Sequence, residues 1–308
     1  MKTRVAIYGL ERLGRAVYAV LSRRHDVEVV MVATDASPET VVEALMSDAI
    51  YASLEETVQP AESGFRHEER HVHIRPVRTE RVWHGHDIDI VIDTITAEPT
   101  KETLRKHQNA GAKRVVFAAP SPDFPVVILG SNEDTLKKVG DALTAGGAAQ
   151  AAVTPVRGIL ADAFSIEHSV TTTIDGVLGC TSAGVCDCDE ACTCCDSPQG
   201  GNVPVPSLVA SMTELTCIVK HTVTTETLNA ALEKAAAAPY YQGIVVTMKD
   251  PVLSDSVIGE STSAVVDLSR TATDGRLVSV KVWYDREWGY ANRIAELTAD
   301  YGKTKGGK

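Results

Sequence analysis

Long apolar runs are missing from this 308-residue chain. None approaches the 18 residues of a membrane-spanning helix, which excludes a helical membrane protein. Basic excess is missing too. Its 30 Lys and Arg face 41 Asp and Glu, a net charge of −11 that argues against a nucleic-acid surface and favours solubility. No segment repeats itself, and M-K-T-R-V-A-I-Y-G-L runs straight into a strand without a signal-peptide pattern, so a cytoplasmic protein with no membrane partner is expected. What is present is ordinary: 44% hydrophobic and 23% charged residues, with length for two domains and ample core. The basic, Gly-rich end K-T-K-G-G-K reads as a disordered tail.

The chain is organised around residues 145–175, A-G-G-A-A-Q-A-A-V-T-P-V-R-G-I-L-A-D-A-F followed by S-I-E-H-S-V-T-T-T-I-D. Gly146 and Gly147 free the backbone for a sharp turn. Val156, Ile159, Leu160 and Phe164 recur at helical spacing, and the β-branched run after them predicts a strand. Because proline suits a first turn, the spacing predicts that the helix begins near Pro155. A turn feeding a helix start presents N–H groups to an anion and is a place for a nucleophile. This turn holds only alanine and glycine.

Residues 3–8 form an apolar run, and Gly9-Leu10-Glu11-Arg12-Leu13-Gly14-Arg15 opens a helix reaching about Arg24. A second strand, residues 27–33, ends at Thr34-Asp35. Strand, glycine-bearing turn, helix and an acid about 20 residues on make the context of a dinucleotide-binding fingerprint. Its defect is Glu11, an anionic side chain where the second glycine lets backbone approach the pyrophosphate. Arg12 or Arg15 offers a compensating cation. Next are an amphipathic helix at 39–53, alternating strands across 65–83, a buried strand at 88–94, a helix at 100–110 and another buried strand from Val115. A strand at 125–130 and a helix or turn at 133–143 close the first half. His67, His71 and His73 lie in the alternating stretch, where solvent-facing histidines are expected rather than a metal site.

The second half predicts strands at 166–178, 208–223, 241–246, 261–268 and 277–284, with helices at 225–238 and 291–301. The alternation in V-S-V-K-V-W-Y points to a sheet with one covered face. Five of the seven cysteines fall within ten residues: Cys186, Cys188, Cys192, Cys194 and Cys195. Such density admits three readings: a thiophilic metal such as Zn²⁺, completed by Cys180 or Cys217; redox or disulfide chemistry; or a polar loop with free thiols. Asp187, Asp189, Glu190 and Asp196 favour a divalent cation.

The central stretch, the segment A-G-A-K-R-V-V-F-A-A-P-S (residues 110–121) and the closing W-Y-D-R-E-W-G-Y-A-N-R (residues 283–293) together resemble the phosphorylating glyceraldehyde-3-phosphate dehydrogenases, over nearly the whole chain. The resemblance implies an α/β fold: an N-terminal Rossmann-like doubly wound sheet, then a C-terminal α+β domain with a mixed or antiparallel sheet. It divides the chain into residues 1–144, 145–288 and a C-terminal helix and tail, 289–308, packing back on the first domain. NAD(P) is the implied cofactor, held by Gly9, Arg12, Leu13, Gly14, Asp35, Thr94 and Ala119, with Pro120 beside them. A homo-oligomer, dimer or tetramer, is the implied assembly.

Departures from the family pattern concentrate on the chemistry. The catalytic cysteine falls on Ala148 and the catalytic histidine on Asp175. The substrate-phosphate arginine falls on Pro204, the nicotinamide-anchoring asparagine on Arg286, and a cofactor-side glycine on Thr96. Ser47-Asp48 is the one remnant of a further motif. A thiol nucleophile and an imidazole base are what the family reaction requires. The expected function is therefore a homologue without phosphorylating dehydrogenase activity, non-catalytic, regulatory or metal-binding, with NAD(P) affinity weakened by Glu11 and Arg286. The alternative is an NAD(P)-dependent aldehyde oxidoreductase using a loop cysteine.

Overall fold

The computed structural model describes residues 2–47, 58–79, 81–176, 203–205 and 210–304, with backbone alone at 175–176 and 203–205. They fall into two compact units: Met1–Val127, Asn132–Gly147 and Ala291–Lys308 in one, Ile128–Ser131 and Ala148–Tyr290 in the other.

The first unit starts with β1 (Thr3–Tyr8), α1 (Arg12–Ser22), β2 (Val27–Ala33) and α2 (Pro38–Ser47). β3 (Val58–Ala61), β4 (Gly64–His67) and β5 (Arg70–Arg75) follow, then β6 (Ile90–Asp93), α3 (Lys101–Asn109), β7 (Arg114–Phe117) and β8 (Ala142–Thr144). The strands make one sheet in the order β3-β4-β5-β2-β1-β6-β7-β8. From β5 to β8 every pairing is parallel, and β3 and β4 add an antiparallel edge. Buried strands of the V-V-M-V and I-V-I type are what a parallel sheet covered on both faces requires. Val30, Met31, Trp83, Val91, Val115 and Phe117 build one of its cores.

The second unit contains α4 (Ala148–Phe164), β9 (Ile166–Gly176), β10 (Val203–Val205), β11 (Ser211–Val219), α5 (Thr225–Ala236), β12 (Val245–Met248), β13 (Ala264–Asp274) and β14 (Leu277–Tyr284). Its sheet runs β10-β9-β11-β14-β13-β12, antiparallel through β9-β11-β14-β13 and parallel at each edge. One face is apolar: Leu215, Cys217, Val278, Val280 and Val282 pack with Val156, Leu160 and Leu228 of the two helices. The last helix, α6 (Trp288–Lys303), begins in this unit and ends in the first. There the Arg114 guanidinium donates to the Tyr301 carbonyl at 2.6 Å and lies 4.5 Å above that ring. The α/β architecture with a doubly wound first sheet and a mixed second sheet is as expected.

Several element boundaries differ from the sequence reading. The central helix begins at Ala148, so Pro155 is its eighth residue rather than its start. The alanine-rich opening is a good helix former, and Val153, Val156, Ile159 and Leu160 bury around the proline. That packing outweighs the roughly 3 kcal/mol an interior proline costs. The expected strand at 125–130 reduces to a single bridge, Val126 to Thr144, ending in a turn at Gly130 with φ +77°. The stretch 65–83 holds two strands, folded back at Glu68 (φ +54°), and turns follow Pro76. β3 went unrecognised because Pro60 obscures it; as an edge strand it tolerates a missing N–H. In place of the strand expected at 241–246, Pro239–Tyr241 forms a 3₁₀ turn and β12 starts at Val245.

Candidate functional site

In a parallel sheet the carboxyl ends of neighbouring strands share one edge, and ligands bind in the crevice where the winding reverses. β2, β1, β6 and β7 are consecutive neighbours, so Asp35, Gly9, Thr94 and Ala119 follow their strands along that edge in this order.

The turn between β1 and α1 is tight. Gly9 has φ +94°, and a Cβ there would fall 2.1 Å from Ile95 Cγ2. A Cβ on Gly14 would fall 2.2 Å from the Gly9 carbonyl oxygen, so the helix presses directly on the turn. The Thr94 hydroxyl sits 3.1 Å from both the Tyr8 and the Gly9 carbonyls, bracing the same turn. Glu11 occupies the N-cap of α1 with φ −71°, exposed and without a side-chain cap bond. Its backbone thus needs no glycine; what glycine supplies in the fingerprint is the absence of a side chain. Arg12 and Leu13, both half-buried, complete the first turn. Asp35 is exposed, and its Oδ1 accepts the Val77 N–H at 3.1 Å. The Ala119 carbonyl accepts the Thr144 hydroxyl, which also receives the Gly146 N–H at 2.9 Å.

Beside these lie residues the sequence reading passed over. Asp93 is buried at the end of β6, where it accepts the Ile95 and Thr96 N–H groups at 3.1 and 2.9 Å and the Thr96 hydroxyl at 2.6 Å. His107 Nε2 of α3 completes the set at 2.9 Å. Thr96 is therefore more than a lost glycine: its hydroxyl holds this carboxylate. Tyr8 packs edge-on against Trp83 and His107, and its phenol is pushed up by burial and by Asp93 and Asp35. An aspartate closing I-V-I-D and a histidine in α3 were the available signals, but their pairing appears only once β6 and α3 are folded.

In the second unit the catalytic positions of the resemblance are set out without their chemistry. Ala148 opens α4. Asp175 lies on β9, where its Cα partner across the parallel pairing is Pro204 of β10. The positions for the family's histidine and phosphate arginine are thus adjacent in backbone. Arg286 sits half-buried in the turn after β14. Asp285 shapes that turn, accepting the Gly259, Glu287 and Trp288 N–H groups, each at 2.8 Å.

Cys186, Cys188, Cys192, Cys194 and Cys195 lie outside the described residues, as do Cys180 and Asp48. Among the described residues, no group of three or more His, Cys, Asp or Glu is placed to hold a metal ion. The one described cysteine, Cys217, is buried in the β11 core, and burial pushes its thiol up to about 11. Alkylation at pH 8 followed by peptide mapping should leave Cys217 unlabelled until denaturant is added, at least about 100-fold slower than an exposed thiol. Labelling of the folded protein at the exposed-thiol rate would contradict this burial. No helix among the described residues is long and apolar enough to cross a membrane.

Comparison with known proteins agrees with this geometry. The family model "Glyceraldehyde 3-phosphate dehydrogenase, NAD binding domain" matches residues 3–100, and the C-terminal domain model of the same family matches residues 196–286. Glyceraldehyde-3-phosphate dehydrogenase of Thermotoga maritima is 26% identical over 324 aligned positions, covering 95% of this chain and 97% of that protein. Two from Streptomyces avermitilis, numbered 2 and 1, are 27% and 28% identical, covering 98% and 99% of this chain and 99% and 100% of their own lengths. With both domain models matched in order, and relatives aligned end to end, the chain belongs to the glyceraldehyde-3-phosphate dehydrogenase family.

Proposed function

We propose that this chain is a member of its family that does not carry out phosphorylating aldehyde oxidation, and that it serves as a non-catalytic, regulatory homologue with weakened NAD(P) binding. The observation that carries the reading is the alanine opening α4, Ala148, on which the resemblance puts the nucleophile. The sole described thiol, Cys217, is buried and protonated at neutral pH. Asp175 and Pro204, on which the resemblance puts the base and the phosphate cation, are register partners on β9 and β10. The matched NAD binding domain and the cradle of Gly9 and Gly14 support a dinucleotide, and Asp35 offers a carboxylate to a ribose. Glu11 opposes the pyrophosphate. Repulsion between like charges so placed is on the order of 1.4 kcal/mol, or about tenfold in affinity.

The test is a dinucleotide titration and a turnover assay on one sample. NAD⁺ should bind weakly, and Glu11→Gly should tighten it about tenfold by removing a like charge. Micromolar affinity in the wild type, or no gain in the variant, would show that Glu11 does not set the affinity. Turnover lost on alkylation of residues 186–195 would instead favour an aldehyde oxidoreductase working through one of those cysteines. A homo-oligomer is part of the proposal, and light scattering giving a monomer at micromolar concentration would remove it.

A further inference from the structure

On the edge of the first sheet away from β8, alternation places His71, His73 and Arg75 on one face of β5, while Val72 and Ile74 bury on the other. Arg66 of β4 stands directly opposite His71 in the antiparallel pairing, which puts their Cβ atoms about 5 Å apart. The loop before β6 adds His86. Ring centroids are 4.5 Å apart for His71 and His73 and 4.6 Å for His73 and His86, so the three imidazoles pack as one half-buried cluster. His71 and His73, expected to face solvent, are half-buried. Arg4 of β1 pins the His86 loop, donating to the His86 and Asp87 carbonyls at 3.0 and 3.2 Å.

The charges facing this cluster are of one sign. Arg66 and Arg75 have no ion pair among the described residues, whereas the nearby acids are engaged. Asp87 is held by Lys113 at 2.6 Å, Glu28 by Arg4 at 3.4 Å, and Asp35 by the Val77 N–H. Glu62 meets the cluster through its backbone carbonyl, 3.1 Å from His71 Nε2, while His71 Nδ1 is buried without a partner. Burial pushes the His73 imidazole below its usual range, reinforced by His71, His86 and Arg75; His86 is lowered by burial and then by Arg75 and Arg4. Arg75 and Arg4, the arginines that act on the His73 and His86 rings, disfavour a metal cation there. A bound oxyanion would satisfy several of these donors at once and favour the protonated rings.

We propose that His71, His73 and His86, with Arg66 and Arg75, form a pH-gated site for a tetrahedral oxyanion of the phosphate class. Near neutral pH the His73 and His86 rings, lowered by burial, favour the uncharged form, and two guanidinium groups hold the anion weakly. As pH falls through the histidine range the rings take up protons, and the anion raises their proton affinity in turn. Arg75 adjoins the Asp35 end of the dinucleotide crevice, its carbonyl accepting the Thr34 N–H at 2.9 Å, so the site is tested without turnover and with no dinucleotide present.

Sulfate is the probe because its own charge is constant across the range. At fixed ionic strength, NMR titration of the histidine ring protons should show sulfate binding at pH 5.5 at least about tenfold tighter than at pH 7.5, with the His73 and His86 midpoints moving up when sulfate is present. His73→Gln should abolish most of that pH dependence, and Arg75→Gln should weaken binding at both pH values, with circular dichroism confirming that each variant folds. Inorganic phosphate should compete with sulfate. If only an adenine nucleotide binds, the anion belongs to the dinucleotide crevice and the proposal fails. It fails equally if sulfate leaves the three rings unperturbed at pH 5.5, if His73→Gln keeps the full pH dependence, or if Zn²⁺ binds the cluster in preference to sulfate.

Discussion

Supplied with glyceraldehyde 3-phosphate, NAD⁺ and inorganic phosphate, the wild-type chain is expected to release NADH at least about 10⁵-fold more slowly than a cysteine-bearing member of its family, the scale of losing a nucleophile outright. The reaction needs a sulfur that adds to the aldehyde carbon before hydride can leave, and Ala148 offers a methyl group there. Ala148→Cys alone should not restore turnover. The new thiol would lie at the start of α4, where the helix terminus favours a thiolate, so it should react with an alkylating reagent. It would still lack an imidazole, because a carboxylate at Asp175 does not have that group's mid-range proton affinity. It would also lack a cation for the substrate phosphate, because the resemblance implies Pro204 at the arginine's position. Asp175 and Pro204 are register partners on β9 and β10, so the two losses share one place in the sheet. β10 is an edge strand, where proline is tolerated and exchange for arginine leaves the pairing intact. The combination of Ala148→Cys, Asp175→His and Pro204→Arg is therefore the smallest set expected to regain measurable turnover. NADH release by wild type or by Ala148→Cys within about 100-fold of an active relative would overturn the reading, since Asp175 and Pro204 would then be adequate substitutes.

How much of this was legible before folding depended on where each signal lies in the chain. β1, β2 and β14 carry unbroken or alternating apolar patterns, and the observed bounds of all three match the pattern. α5 starts at Thr225 as expected from the sequence, and Thr224, whose hydroxyl accepts the Thr227 N–H, is its cap. α4 was misplaced at its start because local proline chemistry was weighed above an alanine-rich opening and a buried face. The Gly9–Gly14 turn is legible as a fingerprint, being local to one strand, turn and helix, whereas Thr94 and Ala119 enter only through the resemblance. The Asp93–His107 pair and the His71–His73–His86 cluster were not. His107 lies 14 positions from Asp93 and His86 lies 13 from His73, on elements that adjoin only through β6 and α3 or through β5 and the loop before β6. Their meaning is set by neighbours rather than by spacing.

Gly14→Ala is expected to be among the most damaging single substitutions in the first unit, although alanine is the better helix former by about 1 kcal/mol. The gain is overridden by contact. The added Cβ would sit 2.2 Å from the Gly9 carbonyl oxygen and 3.2 Å from Thr94 Oγ1. The first is backbone, at a residue itself held at φ +94° and hydrogen-bonded through its N–H to Ala33 at 2.9 Å, so it cannot swing aside as a side chain would. Relief requires α1 to lift off the turn, opening Ala16, Val17 and Leu21, all now buried. A net loss of about 3 kcal/mol follows, enough to lower the thermal midpoint of a unit this size by about 10 °C. Gly85→Ala is the control: φ there is +86° but nothing lies within 4 Å, so only the conformational cost of about 1 kcal/mol applies. Thermal unfolding followed by circular dichroism separates the two effects. If Gly14→Ala melts no lower than Gly85→Ala, close packing of α1 on the β1 turn is not what the glycine provides. The turn would then have slack to spare for a side chain, and the Glu11 carboxylate would have room to move away from a bound pyrophosphate.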